Sequence, residues 1–191
     1  MTLEDLKIIF PDATLETWHV HQNGGGWVQN TAVVSDTAYV GPDAVVFENA
    51  AVSEDAWVSG NARVFGHARV FGNAAVSGDA QIFDDAKVFD ESLVADRSMV
   101  SGNAEVSENA EVFGHARVFG NASVFGGALV FDNARVFGDA WVSGTALVSG
   151  NALVSGDALV SGDAEVSGDA QIFGNAVVSW YARVSGNEII A

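Results

Sequence analysis

Gly60-Asn61-Ala62-Arg63-Val64-Phe65-Gly66-His67-Ala68-Arg69-Val70-Phe71 holds two copies of a six-residue pattern, and that pattern decides the architecture. Moving outward in both directions, an aliphatic residue recurs at every sixth position from Val28 to Ile190 without a break in phase. The 28 slots are all Val except Ile82, Ile172 and Ile190. A second register lies four residues after each Val, where Ala stands from Ala32 to Ala182 at nearly every equivalent slot. Ala and Val two apart, as in Ala62-Arg63-Val64, mark a short strand with one buried face, since side chains alternate sides along a strand. Helical spacing is excluded. Between strands stands a pair such as Gly60-Asn61 or Gly156-Asp157, residues that tolerate positive φ and therefore make corners. Strands of about four residues joined by two-residue corners, with no hairpin signal, predict a chain that keeps turning the same way and stacks parallel rungs.

Every Phe except Phe10 directly follows the Val slot. Six of those eleven (Phe47, Phe65, Phe83, Phe119, Phe137 and Phe173) are separated by multiples of eighteen. Three hexads per coil would align them in one column. On that count residues 27–191 make about nine coils, a rod of about 45 Å at roughly 4.8 Å per rung. The repeat resembles the hexapeptide-repeat left-handed parallel β-helix over residues 27–191. The resemblance implies an all-β, triangular, left-handed β-solenoid. The approach Gly24-Gly25-Gly26-Trp27-Val28, followed by runs such as Gly60-Asn61-Ala62-Arg63-Val64-Phe65-Gly66, is similar to hexapeptide-repeat proteins of bacteriophages and prophages, which implies a phage-related setting.

Composition fits one folded unit: 191 residues, 49% hydrophobic and 17% charged, with 21 Gly and only 2 Pro. Sixteen of the glycines occupy the first corner slot, so their abundance reflects geometry rather than a linker. No apolar run approaches 18 residues and no basic start precedes a long apolar stretch, so a cytoplasmic location is expected, or a virion-associated one given the phage resemblance, with no membrane contact. The absence of Cys excludes disulfides and thiolate metal sites. The net charge of −17 argues against direct nucleic-acid binding and leaves open an acidic DNA mimic that inhibits a DNA-binding protein. Seventeen of the 25 acidic residues fall in corner slots, where Asp is favoured for its turn conformation. A denser belt, Asp84-Asp85, Asp90-Glu91 and Asp96, is expected to ring one coil.

Residues 1–26 differ from the repeat. Thr2-Leu3-Glu4-Asp5 has the form of a helix start, with Thr2 as cap and Leu3, Leu6 and Ile9 as an apolar face, and Pro11-Asp12 ends it. Thr17-Trp18-His19-Val20-His21 alternates like a strand. Together they are expected to cap the first rung of a solenoid whose end would otherwise expose unpaired backbone groups.

Many proteins on the resembling fold are acyltransferases, so an enzyme of that type is the alternative function. Such enzymes use a His base beside a loop that interrupts the hexads, at a subunit boundary of a trimer. No loop interrupts these hexads. His67 and His115 are 48 residues apart, not a multiple of 18, which places them on different corners. His19 and His21 form the only local pair that could share a metal. No catalytic, cofactor-binding or metal-ligating set is assigned, and no cofactor is expected.

The outward columns offer more. One face reads Val45/Phe47, Arg63/Phe65, Gln81/Phe83, Met99/Ser101, Arg117/Phe119, Arg135/Phe137, Leu153/Ser155 and Gln171/Phe173. Phe, Met and Arg are enriched in the centres of interfaces. A flat face of Arg63, Phe65, Gln81, Phe83, Arg117, Phe119, Arg135 and Phe137 is therefore an expected interface, and the outward Trp141, Leu147, Leu153 and Leu159, which wrap successive faces near the C-terminal third, add to it. The competing reading is that stacked Phe rings shield their own strands. The expectation is a non-catalytic structural or protein-binding solenoid, self-associating through the Phe/Arg face or seating another protein there.

Overall fold

Residues eighteen apart lie side by side along the repeat. Arg63 pairs in parallel with Gln81 on one side and Val45 on the other, and Val64 with Ile82 and Val46. The computed structural model describes residues Met1–Ala191 and contains three sheets. The first holds 11 strands and the other two 9 each. Along the chain each rung visits the first face (as at Arg63–Val64), the second (Arg69–Val70) and the third (Ala75–Val76) before returning one coil higher. The chain is an all-β parallel solenoid of about nine turns with one short helix at its N-terminal end.

Regular strand pairing covers two residues per rung rather than about four. The backbone bonding nonetheless continues past the strand: Phe65 N–H donates to Ile82 O at 3.0 Å, and His67 N–H, in the corner, to Asp84 O at 2.7 Å. The corners bend the chain out of strand geometry while keeping its ladder.

The inward residues form one cluster of 49 buried side chains, almost wholly Val and Ala. Ser92 and Ser98 stand in two Ala slots. Their buried hydroxyls donate to Phe89 O and Ala95 O at 2.7 and 2.6 Å. A buried hydroxyl needs such a partner, and the tight turn supplies a carbonyl three residues back.

From Glu48 to Gly186 the first corner residue adopts positive φ. Gly144 illustrates why glycine dominates: its φ is +71°, and an added Cβ would lie 2.8 Å from both N and O of Gly162 in the next coil. Acids also occupy this slot, and most use the same proximity. Asp84, Asp90, Asp96 and Asp132 accept the backbone N–H of Gly102, Glu108, Gly114 and Gly150, at 3.0–3.2 Å, and Glu48 accepts that of Gly66 at 2.8 Å. The acidic belt is thus three corners of one coil capping the backbone of the next.

Helix α1 (Leu3–Ile9) begins with a reciprocal capping box between Thr2 and Asp5. The Thr2 hydroxyl and backbone N–H hold the Asp5 carboxyl below its ordinary value of 3.8. Leu6 is buried and packs with Ala13, Trp18, Trp27 and Val45, while Phe10 rather than Ile9 completes the apolar face. Ile9 turns outward because successive three-residue steps drift around a helix of 3.6 residues per turn, whereas Phe10 follows Leu6 by four residues and Leu3 by seven. Strand β1 (Trp18–Val20) pairs antiparallel with β2 (Trp27–Gln29) and closes the first sheet. The N-terminal ammonium reaches Asp43 at 2.8 Å and ties the cap to a corner.

Gly144→Asp is expected to shift stability by less than about 1 kcal/mol, because the new carboxylate can cap Gly162. Gly144→Val places a β-branched residue at positive φ against the next coil and is expected to cost roughly 2–3 kcal/mol. Guanidinium unfolding midpoints of the two variants measure the difference.

Candidate functional site

The first face carries most of the residues singled out above. Its Phe side chains stack as a ladder, Phe47 on Phe65 at 4.8 Å, Phe65 on Phe83 at 5.0 Å and Phe119 on Phe137 at 4.9 Å, with planes within 7°. Ten of the eleven Phe that follow a Val or Ile are half-buried; only Phe173 is exposed. Identical rings in register cover one another's faces, so the ladder first serves the rod. It begins in the cap, where Phe10 meets Trp18 and Phe47, each at 4.9 Å.

Beside the Phe column run Arg63, Gln81, Met99, Arg117, Arg135 and Leu153, each paired with its neighbours one coil away. Arg63 and Gln81 are half-buried, whereas Arg117 and Arg135 are exposed. These two guanidinium groups are cross-strand neighbours, and neither belongs to an ion pair. Three other cations on the rod are matched one coil away, Lys87 with Glu105 at 2.8 Å, Arg97 with Asp79 at 3.6 Å and Arg183 with Glu165 at 3.0 Å, whereas Arg63 has no ion pair and Arg69 lies over the Phe71 ring at 5.7 Å.

The remaining four lie on successive faces, as their six-residue spacing predicts. Leu153 lies on it, Trp141 and Leu159 are partners on the second face, and Leu147 is on the third. Trp141 is 53% exposed and touches Phe125 edge-on at 6.0 Å. With Leu159, Asp139 and Asp157 it lines a hollow of about 370 Å³ along the edge between the first and second faces. The same second-face column continues to Val177, 62% exposed, and the corner beyond it holds Trp180 and Tyr181, both more than three-quarters exposed. Sequence reasoning passed over these two, although Trp-Tyr replacing Gly-Asp in a corner was a visible break. Trp180 carries φ +61°, a conformation that Gly or an acid takes in the other corners.

The histidines do not converge. His19 Nδ1 lies 2.8 Å from Asn30 Oδ1, whereas buried His21 directs Nε2 to Ala38 O at 3.0 Å, so the two rings serve different contacts. His115 shares a shallow hollow with Asp79, Asp96 and Arg97. Both carboxylates are engaged there, Asp79 with Asn61 and Arg97, Asp96 with Gly114 N–H. His67 sits alone on another corner.

Three segments, residues 128–144, 146–162 and 170–186, match the YdcK beta solenoid repeat. Each begins on an inward Ala and spans close to one coil. The chain is a β-solenoid repeat protein. No curated protein matches it significantly.

Phe65→Ser removes two stacking contacts at a position where Ser101 shows that a small residue fits. It is expected to keep the β spectrum and lower stability by about 1–3 kcal/mol. Trp180→Gly relieves a bulky residue at positive φ and is expected to raise stability by about 1 kcal/mol. Thermal unfolding followed by circular dichroism reads both.

Proposed function

We propose that this solenoid is a non-catalytic structural and protein-binding module that associates with copies of itself through its Phe/Arg face. The observation that carries the reading is the Arg117/Arg135 pair. Like charges directly opposite one another on a sheet destabilise it, and every ion pair along the rod shows that an acid one coil away would have relieved them. Two unmatched guanidinium groups beside a rigid aromatic ladder are suited to receive carboxylates from outside the chain, since Arg pairs with carboxylates bidentately. Association of rods suits a phage-related structural role in the cytoplasm or a virion.

Light scattering over a concentration series is expected to show a mass above 19.9 kDa that falls on dilution. Phe83→Glu with Phe119→Glu is expected to abolish that association and leave the β spectrum in place. A monomer at every concentration overturns self-association. A stable trimer that also releases heat on titration with an acyl-coenzyme A overturns the non-catalytic reading in favour of an acyltransferase.

A further inference from the structure

Arg117 and Arg135 stand one coil apart on the first face, and Asp139 and Asp157 stand one coil apart on the corner that follows it. Both columns therefore repeat at the strand spacing of about 4.8 Å. All four residues are exposed. Asp139 and Asp157 flank Trp141 and Leu159 in the hollow at that corner. Asp139 accepts one hydrogen bond, from Asn121 at 2.8 Å, and no ion pair involves either acid. At this edge an opposed pair of cations and a pair of anions share one repeat, and none of the four is in an ion pair.

We infer that the occupant of the Asp139/Trp141/Asp157 hollow is the Arg117/Arg135 column of a second copy of this chain. This rests on the self-association proposed above and assigns its counter-surface. The chemistry matches on three counts. Two guanidinium groups meet two carboxylates at equal spacing, so both pairs form in one register. The exposed face of Trp141 lies where an incoming guanidinium can stack on it. Met99 and Leu153, the neighbours of the Arg pair in its own column, add apolar area opposite Leu159.

The chain's own charge distribution favours a copy of itself at the Arg column. From residue 136 to residue 182 there are five acids (Asp139, Asp157, Asp163, Glu165 and Asp169) and no Lys, Arg or His. This stretch repels its like on another rod and attracts the Arg column. The overall charge of −17 opposes approach at long range, but at physiological ionic strength that repulsion is screened beyond about 8 Å. Contact pairs then decide the register.

A charge-swap complementation tests the assignment on the full chain. Arg117→Glu/Arg135→Glu and Asp139→Arg/Asp157→Arg alter only exposed positions, and circular dichroism checks that each variant retains the wild-type β spectrum. Each alone is expected to lower the association constant, measured by sedimentation equilibrium, by at least roughly tenfold. An equimolar mixture is expected to regain association, because each variant supplies the surface the other now complements. Trp141→Ser, which places the residue found at Ser123 in the same column, is expected to weaken association without reversing any charge.

If both variants associate as the wild type does, this pairing is overturned while self-association through another surface stands. Loss in each variant without recovery in the mixture also overturns it. A wild type that stays monomeric removes the self-association reading and the pairing with it.

Discussion

Along each rung the backbone N–H groups donate to carbonyls seventeen residues later, as Val33 does to Ala50 and Asn49 to Gly66, both at 2.9 Å. The other properties of the molecule depend on that offset. It stacks coils at strand spacing, so each inward slot meets its equivalent above and below and must repeat in size, which Val and Ala do. It also brings the first corner residue close to the backbone of the next coil. At Gly144 even a Cβ would sit 2.8 Å from that backbone. Most residues in this slot either lack a side chain or carry one that bonds to the next coil. Gly and Asp are the two solutions the chain uses most, for one geometric reason.

The same offset explains how much of the fold is legible in the sequence. Val64 and Ala62 are legible as inward because their period is short and unbroken, and the eighteen-residue spacing of the Phe column reveals three hexads per coil. What escaped were properties that depend on contacts between coils. Asp84, Asp90 and Asp96 read as turn formers. Nothing in a linear pattern announces that their carboxylates bond to an N–H eighteen residues on. The Phe side chains read equally as interface or as shielding, and their burial was decided by ring-on-ring stacking at 4.8–5.1 Å. In the cap, where no repeat averages over local error, Ile9 was misplaced on the buried face and Phe10 took its role. His19 and His21 looked like a pair by alternation, but the antiparallel hairpin ends between them and buries only the second.

A fold with so uniform an interior can carry distinguishing information only in its corners, its outward columns and its ends. Most departures from the repeat are absorbed by the rod itself: the acidic belt caps backbone, the Phe ladder covers strands, and Lys87, Arg97 and Arg183 find acids one coil away. Arg117, Arg135 and the edge formed by Asp139, Trp141 and Asp157 are not absorbed in this way. An opposed pair of arginines lowers stability, and Trp180, at positive φ and 77% exposed, is a local cost of another kind. Neither is required by the solenoid, since Leu153 and Gln171 occupy the Arg column without difficulty and Gly162 fills the corner of Trp180 one coil earlier. Arg117 and Arg135, which weaken a rod able to do without them, are the residues on which the proposed association rests. Where Arg117 and Arg135 oppose each other, the first face and its following edge carry two cations and two anions with a common repeat and no ion pair among them.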